Sequence, residues 1–322
     1  MTAVRHSRRG LAIAEDLQAL PGRDLEQQHG IRCVENLEAA LAKQPDLVVV
    51  ANPTSLHLSV ALAAAQQGCH LFIEKPLSHS MEGVEELIER VARQHLTASV
   101  GYQFRFHPCL IRLADILKQQ VLGRVVAVHM EAGEYLPDWH PYEDYRQSYA
   151  ARRQLGGGVL LTQIHEMDCI YWLFGMPRRV FAVGGHLSTL EIDVEDTASV
   201  LMECVVDDRP VPVMLHQDYL QQPAKRIYEV VGEKGRVVVD LLAPSLCLMD
   251  SAGREVEAYL PQQFERNQMF LDEMRHVLAC VEGRALPHVG LHDAAQSLRM
   301  ALAARQSLET GQAVELGASV AV

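Results

Sequence analysis

The sequence lacks the features of membrane, secreted and metal-binding proteins. No apolar run approaches the roughly 20 residues that a membrane-spanning helix needs, and the first residues lack the apolar core of a signal peptide. The seven cysteines are widely spaced and form no Cys-x-x-Cys pair, which argues against a disulfide framework or a thiolate metal site. We therefore expect a cytoplasmic, globular protein with no resident metal and no membrane partner.

Basic residues are too few to suggest a polyanionic partner. The chain has 29 lysines and arginines against 41 aspartates and glutamates, a formal charge of −12. This balance argues against nucleic acid or an anionic membrane as a partner, although it is compatible with a local basic pocket for a phosphate. With 322 residues, 48% of them hydrophobic, the chain is long enough for two domains with separate cores.

The first hundred residues alternate between strand and helix patterns. Residues 46–51 form a continuous apolar run typical of a parallel strand that is buried on both faces, and further strands are predicted at 70–75 and 97–102. Helices are predicted between them, capped by Thr54 or Ser55 and by Ser80, and earlier in the chain over residues 11–20 and 36–43, the latter capped by Asn36. The β-α-β-α-β order predicts a parallel, Rossmann-like sheet.

The pattern changes after residue 103, so we expect one domain over residues 1–101 and another over 102–322. From residue 180 onward, seven strand-like segments follow one another with short turns, which indicates a large, mostly antiparallel sheet. Helical patterns return at 262–282 and 291–310. The predicted fold is thus an α/β protein: a parallel Rossmann-like domain followed by an α+β domain.

In the stretch His70-Leu-Phe-Ile-Glu-Lys-Pro-Leu77, a short apolar run ends in an acid, Lys75 and a proline. Pro76 has no N–H to donate to a sheet, so the strand should end there, with Lys75 extended and its side chain directed outward. Ligands of open parallel sheets bind at the carboxyl ends of the strands, which makes Lys75 a candidate functional residue. A solvated lysine at a strand end explains these residues equally well.

Polar groups also follow the strands on either side. The turn Ala51-Asn-Pro-Thr-Ser-Leu-His57 leaves one strand and opens a helix, so the backbone N–H groups of the turn and Asn52 are placed to meet a polar or phosphate ligand. Gly101-Tyr-Gln103-Phe-Arg105 follows the next strand. Functional groups at three consecutive parallel strand ends predict a ligand site at this edge.

A fourth cluster is the run from Gly156 to Trp172. Its triple glycine permits a closely approaching loop, and the apolar residues that follow predict one helix on which His165, Asp168 and Trp172 share a face. A histidine with an ordinary pKa of about 6.5 and a carboxylate one turn away can act as a general acid or base. The alternative is a core histidine bonded to its neighbour.

Residues 135–153 are rich in aromatic and hydrogen-bonding side chains. Aromatic faces combined with arginine and histidine donors suit a sugar, including an acidic or phosphorylated one. An ordinary surface loop packed by its own aromatics is the alternative. The residues that we expect to contact substrate are Arg105, Trp139, His140, Tyr149, Arg152 and Asp168.

In combination, these motifs resemble the Gfo/Idh/MocA family of NAD(P)-dependent oxidoreductases, which includes glucose–fructose oxidoreductase and inositol dehydrogenase. The resemblance rests on Asn-Pro-Thr-x-x-His, Glu-Lys-Pro, Gln-x-Arg, Gly-Gly-Gly and Ile-His-Glu-x-Asp, in that order, followed by the antiparallel sheet. It implies hydride transfer between NAD(P) and a CH–OH or C=O carbon of a sugar, cyclitol or related compound. It also leads us to expect a homodimer or tetramer formed through the antiparallel sheet.

The resemblance also implies residue roles. Lys75 would hydrogen-bond the reacting oxygen and share in proton transfer, and His165 would be the acid or base. The cofactor would be contacted by Ala51, Asn52, Pro53, Thr54, His57, Glu74, Lys75 and Gln103.

Two departures from the family pattern bear on function. The chain has no Gly-x-Gly-x-x-Gly turn, the unit that holds the cofactor pyrophosphate, and we expect Met1 to fall at the second strand of a truncated Rossmann domain. Leu161 occupies the position where the family often has an aspartate, four residues before the histidine. A ligand-binding relative without catalysis, or an inert fragment, is therefore the rival interpretation.

The basic loop after the first strand bears on cofactor choice. An acid there normally binds the adenosine ribose of NAD, whereas basic residues accommodate the 2′-phosphate of NADP. The segment around Ser7 and Arg8 has no acid. We therefore expect a preference for NADP, with Ser7 and Arg8 in contact with it.

Overall fold

A computed structural model describes residues 1–4, 12–13, 19–20 and 29–317. Three parallel strands form the centre of the first domain, and their carboxyl ends are level because Val50 pairs with Ile73, and Glu74 pairs with Gly101. The strands of this part are β1 (Thr2–Val4), β2 (Ala12–Ile13), β3 (Ala19–Leu20), β4 (Arg32–Val34), β5 (Leu47–Val50), β6 (His70–Glu74) and β7 (Ala98–Gly101). Strands β5, β6 and β7 form the predicted parallel sheet, and β1 pairs in parallel with β4 in a separate one.

Local sequence signals predicted these elements unevenly. The helices are α1 (Leu37–Leu41), α2 (His57–Gln66) and α3 (Val84–Arg93). Asn36 caps α1 as expected, its side chain accepting from Ala39 N at 2.8 Å. The other predicted caps are wrong, because a short 3-10 turn precedes α2 without a side-chain cap, and Gly83 begins α3. The helix predicted over residues 11–20 is wrong at β2 and β3, which pair with each other.

The second part contains a nine-stranded sheet. Its strands are β8 (Val125–Gly133), β9 (Arg179–Gly185), β10 (Thr197–Val206), β11 (Arg209–Asp218), β12 (Lys225–Gly232), β13 (Gly235–Asp240), β14 (Ser245–Asp250), β15 (Glu255–Tyr259) and β16 (Val314–Glu315). The order is β15-β14-β13-β12-β8-β11-β10-β9-β16, and only the β8–β11 pair is parallel. Strand β8 precedes the others in the chain and lies between β12 and β11. The predicted, mostly antiparallel sheet is confirmed.

Helices cover one face of this sheet and also reach the first domain. They are α4 (Pro108–Lys118), α5 (Val159–Thr162), α6 (His165–Phe174), α7 (Arg266–Val281) and α8 (Leu291–Thr310). Ala182 N of β9 donates to Ser307 Oγ of α8 at 2.9 Å, and Val100 N of β7 donates to Val289 O just before α8 at 3.1 Å. Because the C-terminal helices contact both sheets, the division at residue 101 remains a proposal. Among the described residues, no helix is long and apolar enough to cross a membrane.

Candidate active site

Lys75 connects the edge of the parallel sheet to the second domain. Strand β6 ends at Glu74, as Pro76 predicted, and the Lys75–Pro76 peptide bond is cis. The Lys75 ammonium donates to the Thr162 carbonyl at 2.6 Å. Thr162 is the last residue of α5 and His165 is the first residue of α6. Lys75 is therefore bound to a residue that lies three positions before the candidate histidine in the chain.

This contact depends on a break that the sequence pattern did not predict. One helix was expected here, but the chain forms two, interrupted at residues 163–164. Thr162 Oγ1 donates to Gly158 O at 2.9 Å and Gln163 Nε2 donates to Asp218 O at 3.0 Å, so the break is anchored to the large sheet. The break leaves the Thr162 carbonyl available to Lys75.

The triple glycine brings the two domains together. A Cβ on Gly156, which has φ +82°, would lie 2.8 Å from Cβ of Thr54 and 2.9 Å from Cβ of His79, two residues of the first domain. A Cβ on Gly157 would lie 2.4 Å from Tyr149 O. Larger residues would force these segments apart, so the glycines permit the close approach that the sequence predicted.

His165 lies in an aromatic pocket. Its ring stacks on Phe104 at 4.5 Å between centroids and meets the edge of Tyr102 at 5.8 Å, and the residue is 5% exposed. Nδ1 is buried without a hydrogen-bond partner. Burial, followed by the positive charges of Lys75 and two arginines, lowers the pKa of His165 well below its usual value. The imidazole is therefore neutral near pH 7 and able to accept a proton.

Asp168 is not the partner of His165, which corrects the sequence-based interpretation. Its carboxylate accepts two hydrogen bonds from Arg105, at 2.9 and 2.8 Å, and the side chains are 1% and 9% exposed. Arg105 also donates to the His288 carbonyl and lies over the Trp172 ring. Arg105 and Asp168 therefore each have a partner inside the protein, and their contact with substrate stays a prediction.

The turn after β5 is held by His57. Its ring nitrogens lie 2.8 Å from the carbonyls of Pro76 and Asn52, so His57 joins the turn to the Glu-Lys-Pro segment. Burial lowers the pKa of His57, and a neutral ring can donate to only one of these carbonyls. The buried His57 ring thus holds the turn in place through its contacts with these two carbonyls. The side-chain oxygen of Asn52, Oδ1, is buried and has no hydrogen-bond partner.

The other predicted cofactor residues lie at the carboxyl edge of the parallel sheet and differ in how far they are buried. Glu74 lies beside Gly101, and burial raises the pKa of its carboxyl group. Thr54 and Gln103 are buried, Pro53 is half-buried and Ala51 is exposed. Ser7 and Arg8 lie outside the described residues.

The predicted sugar-binding segment divides into two pairs. Trp139 packs edge-on against Tyr219 at 5.3 Å, and His140 pairs with Glu143 at 2.9 Å near the surface, so both have protein partners. Tyr149 and Arg152 are half-buried. No hydrogen bond or ion pair of the Tyr149 or Arg152 side chain occurs within the described part of the chain, although Arg152, after Arg146, also helps to lower the pKa of Asp144.

Sequence reasoning missed several groups around the candidate site. Phe104 lies inside the quoted Gln-x-Arg motif, but its stacking on His165 has no signature at the level of sequence. Arg226 comes from β12, on the large sheet. Glu273 of α7 is 6% exposed, and burial together with Glu74 and Asp168 raises the pKa of its carboxyl group to about 8. A buried acid with so high a pKa is protonated at neutral pH.

Two family models match the chain. Residues 2–102 match an oxidoreductase family with an NAD-binding Rossmann fold, and residues 110–238 match the GFO/IDH/MocA C-terminal domain. Two similar curated proteins are a myo-inositol 2-dehydrogenase of Thermotoga maritima (26% identity, covering 91% of this chain and 87% of that protein) and a D-xylose 1-dehydrogenase (NADP(+)) 2 of Haloferax volcanii (26%, covering 87% and 83%). A similar solved structure is the WlbA dehydrogenase from Bordetella pertussis in complex with NADH and UDP-GlcNAcA, with TM-score 0.75, 23% identity, and coverage of 91% of this chain and 86% of that one.

The protein is an oxidoreductase of the NAD-binding Rossmann class, and within that class it belongs to the Gfo/Idh/MocA family. The predicted family, its two-part fold and the nicotinamide dinucleotide cofactor class are confirmed.

Proposed function

We propose that the protein transfers a hydride between NAD(P) and a CH–OH or C=O carbon of a sugar or cyclitol, with Lys75 and His165 as the acid–base pair. The observation that carries the proposal is the Lys75 Nζ–Thr162 O contact, which holds the lysine next to the start of α6 at the ligand-binding edge of the parallel sheet. Family membership supports the reaction class.

The two side chains suit complementary tasks. The Lys75 ammonium carries a positive charge that stabilises alkoxide character on a reacting oxygen. His165 is neutral and can take the proton of a hydroxyl group. Its Nδ1 is enclosed, so Nε2 is the nitrogen that we assign to the substrate.

The described residues fit the reactive end of a nicotinamide cofactor. Asn52 Oδ1 is a buried acceptor without a partner at the carboxyl end of β5, and Glu74, Lys75 and Gln103 come from the two neighbouring strand ends. A bound nicotinamide would supply the hydride acceptor or donor. Asn52, Thr54, Glu74 and Gln103 would hold it, while His57 keeps their turn in place.

We assign the substrate side of the cleft to Tyr149 and Arg152. Both follow the aromatic segment and lie next to the glycine loop, where Tyr149 O would meet a Cβ on Gly157. A phenol and a guanidinium that make no hydrogen bond to the described residues are suited to bind hydroxyl or carboxylate groups of a sugar. The relatives named for myo-inositol and D-xylose support a polyol or sugar as the substrate class.

The direct test is an assay of the full chain for nicotinamide reduction or oxidation. We would screen sugars, cyclitols and sugar acids at high NADP and NAD concentrations, following the nicotinamide absorbance in both directions. Turnover that requires one substrate class supports the proposal. Saturable binding of cofactor and a sugar without hydride transfer in either direction would contradict it.

A specific observation favours the rival, a ligand-binding relative without catalysis. Leu161 is fully buried in the core, so no carboxylate relay can operate at that position. The chain also carries no Gly-x-Gly-x-x-Gly turn. If the protein is such a ligand-binding relative, the wild-type chain has no turnover. Lys75→Ala and His165→Ala would then change only its affinity for a sugar.

We also propose that two copies associate through the open face of the large sheet. This face carries a groove of ≈ 610 Å³, and its exposed apolar side chains include Phe181 (39%), Val183 (63%), Leu201 (48%) and Met214 (45%). Lys225 and Glu131 pair at its border, and rim charges of both signs suit an interface with the same face of another copy.

Sedimentation velocity over a range of concentrations tests this interface. We expect a dimer that Val183→Asp shifts toward monomer, whereas Leu286→Asp, at a position that is 85% exposed, leaves it unchanged. A wild-type monomer at every concentration would contradict the proposal, as would equal effects of the two substitutions.

A further inference from the structure

His165 and three further side chains, those of Glu166, Arg226 and Phe104, form a closed circuit of contacts. Glu166 Oε1 lies 3.0 Å from Arg226 Nε, the Arg226 guanidinium carbon lies 5.0 Å from the centre of the Phe104 ring, and Phe104 stacks on His165 at 4.5 Å. Glu166 directly follows His165 in α6, so the peptide bond between these two residues closes the circuit.

The ion pair in this circuit is deeply buried. Glu166 is fully enclosed, and the Arg226 side chain is 14% exposed. Tyr228, on the same strand as Arg226, donates to Glu166 Oε1 at 3.0 Å, so the carboxylate has a further partner. The Arg226 Nε–H lacks hydrogen-bond geometry toward the carboxylate. Buried ion pairs are often no more stabilising than apolar packing, so a gain in stability does not explain this one.

The His165 ring lacks the usual means of orientation. A functional imidazole is generally oriented by a hydrogen bond from its second nitrogen to a carboxylate or carbonyl. Here Nδ1 is buried without a partner, and the nearby Asp168 is bound to Arg105. Phe104 and Tyr102 are therefore the contacts that fix the ring.

We propose that Arg226 and Glu166 are positioning residues for His165. Glu166 holds the guanidinium against Phe104, and Phe104 in turn holds the imidazole in the orientation that presents Nε2 to the substrate. This inference rests on the proposed function, in which His165 is the acid or base.

The circuit also has an electrostatic consequence. The charged and titratable groups that face His165 are Lys75 after β6, Arg226 on β12, Arg266 on α7 and Tyr102 after β7. Arg226 is one of the cations that favour the neutral ring. Removing its charge should therefore make His165 easier to protonate.

An NMR titration of His165 in the full chain tests whether Arg226 acts on the imidazole, without any need for turnover. The signal is assigned by its loss in His165→Gln. We expect Arg226→Met to raise the pKa of His165, whereas Arg226→Lys keeps it close to wild type. The matched control is Arg236→Met, which removes an exposed arginine paired with Glu229 on the same sheet. An unchanged titration in Arg226→Met would overturn the proposal.

Steady-state kinetics provides the second readout. Arg226→Met should lower kcat about tenfold with little change in KM, because orientation matters more in the transition state than in binding. Arg226→Lys should restore most of the loss. A rise in KM with unchanged kcat would overturn the proposal, because Arg226 would then be a substrate-binding residue.

Phe104→Leu covers the case in which Arg226→Met does not fold. It removes the stacking surface while leaving the Glu166–Arg226 pair, and we expect a similar fall in kcat; wild-type kinetics would overturn the proposal. If the titration shifts as expected but the wild-type chain transfers no hydride to or from any sugar, the action of Arg226 on His165 is supported and the proposed function fails. The two failures are therefore distinguishable.

Discussion

Lys75 Nζ donates to the carbonyl of Thr162 at 2.6 Å, although 87 positions separate the two residues in the chain. One residue directly follows a parallel strand of the first domain, and the other ends the short helix before His165. The bond therefore joins the edge that we propose for the cofactor to the segment just before His165, the proposed acid or base. Loss of this hydrogen bond should lower kcat more than it lowers the free energy of unfolding.

Cofactor affinity should be low for this chain. Its sequence has no Gly-x-Gly-x-x-Gly turn, so backbone contacts to the pyrophosphate from such a turn are not available. Titration of NADP(H) and NAD(H) against intrinsic fluorescence measures the affinity. We expect dissociation constants above the micromolar range, and a micromolar value would contradict the expectation.

Cofactor preference is a separate prediction. Because the segment around Ser7 and Arg8 has no acid, we expect NADP(H) to bind more tightly than NAD(H). Arg8→Ala and Ser7→Asp should each reduce the ratio of the two affinities by about tenfold, the scale of one lost charge-assisted contact. A tenfold preference for NAD that neither substitution alters would show that another segment binds the ribose.

The buried Arg105–Asp168 pair should matter for stability. Arg105→Met leaves a buried carboxylate without its partner, a loss of about 3–5 kcal/mol in the free energy of unfolding. Arg275→Met, which breaks the exposed pair with Asp272, should cost less than about 1 kcal/mol. Urea unfolding distinguishes the two. Equal losses would mean that the buried pair is not a structural element.

Glu273 should make stability depend on pH. Its pKa rises from an ordinary 4.5 to about 8 in the folded protein, chiefly through burial. The contribution of its protonated form is fully present below the unfolded pKa of 4.5 and is lost as pH rises through about 8. Stability should therefore fall across that window, and less steeply in Glu273→Gln. The control is the exposed Glu89→Gln, and identical slopes in all three proteins would contradict the assignment.

Much of the fold follows from local sequence signals. Helix α8 has the bounds that its pattern predicted, because helical apolar spacing and turn residues act over short distances. The place of β8 between β12 and β11 was not predictable in this way. Strand order depends on pairings between segments far apart in the chain.

The candidate site likewise contains features that the local sequence predicts and features that depend on tertiary packing. Lys75 and the glycine loop were recognisable because proline and glycine impose backbone constraints at their own positions. The partners of Asp168 and His165 were not, because helical spacing placed these two residues near each other while tertiary packing brought Arg105 to one and Phe104 to the other. Spacing along a helix indicates which side chains can meet, and packing decides which do.

We propose that Lys75 and His165 act together on one reacting oxygen. The kcat of Lys75→Ala and His165→Ala tests this pairing, measured with the best substrate of the screen beside wild type and the exposed control Lys118→Ala. We expect each site variant to lose about 10²–10⁴ in kcat, with KM changed far less, since a positioned acid or base acts chiefly in the transition state. Unchanged kcat in either site variant, or a loss confined to KM, would contradict the account.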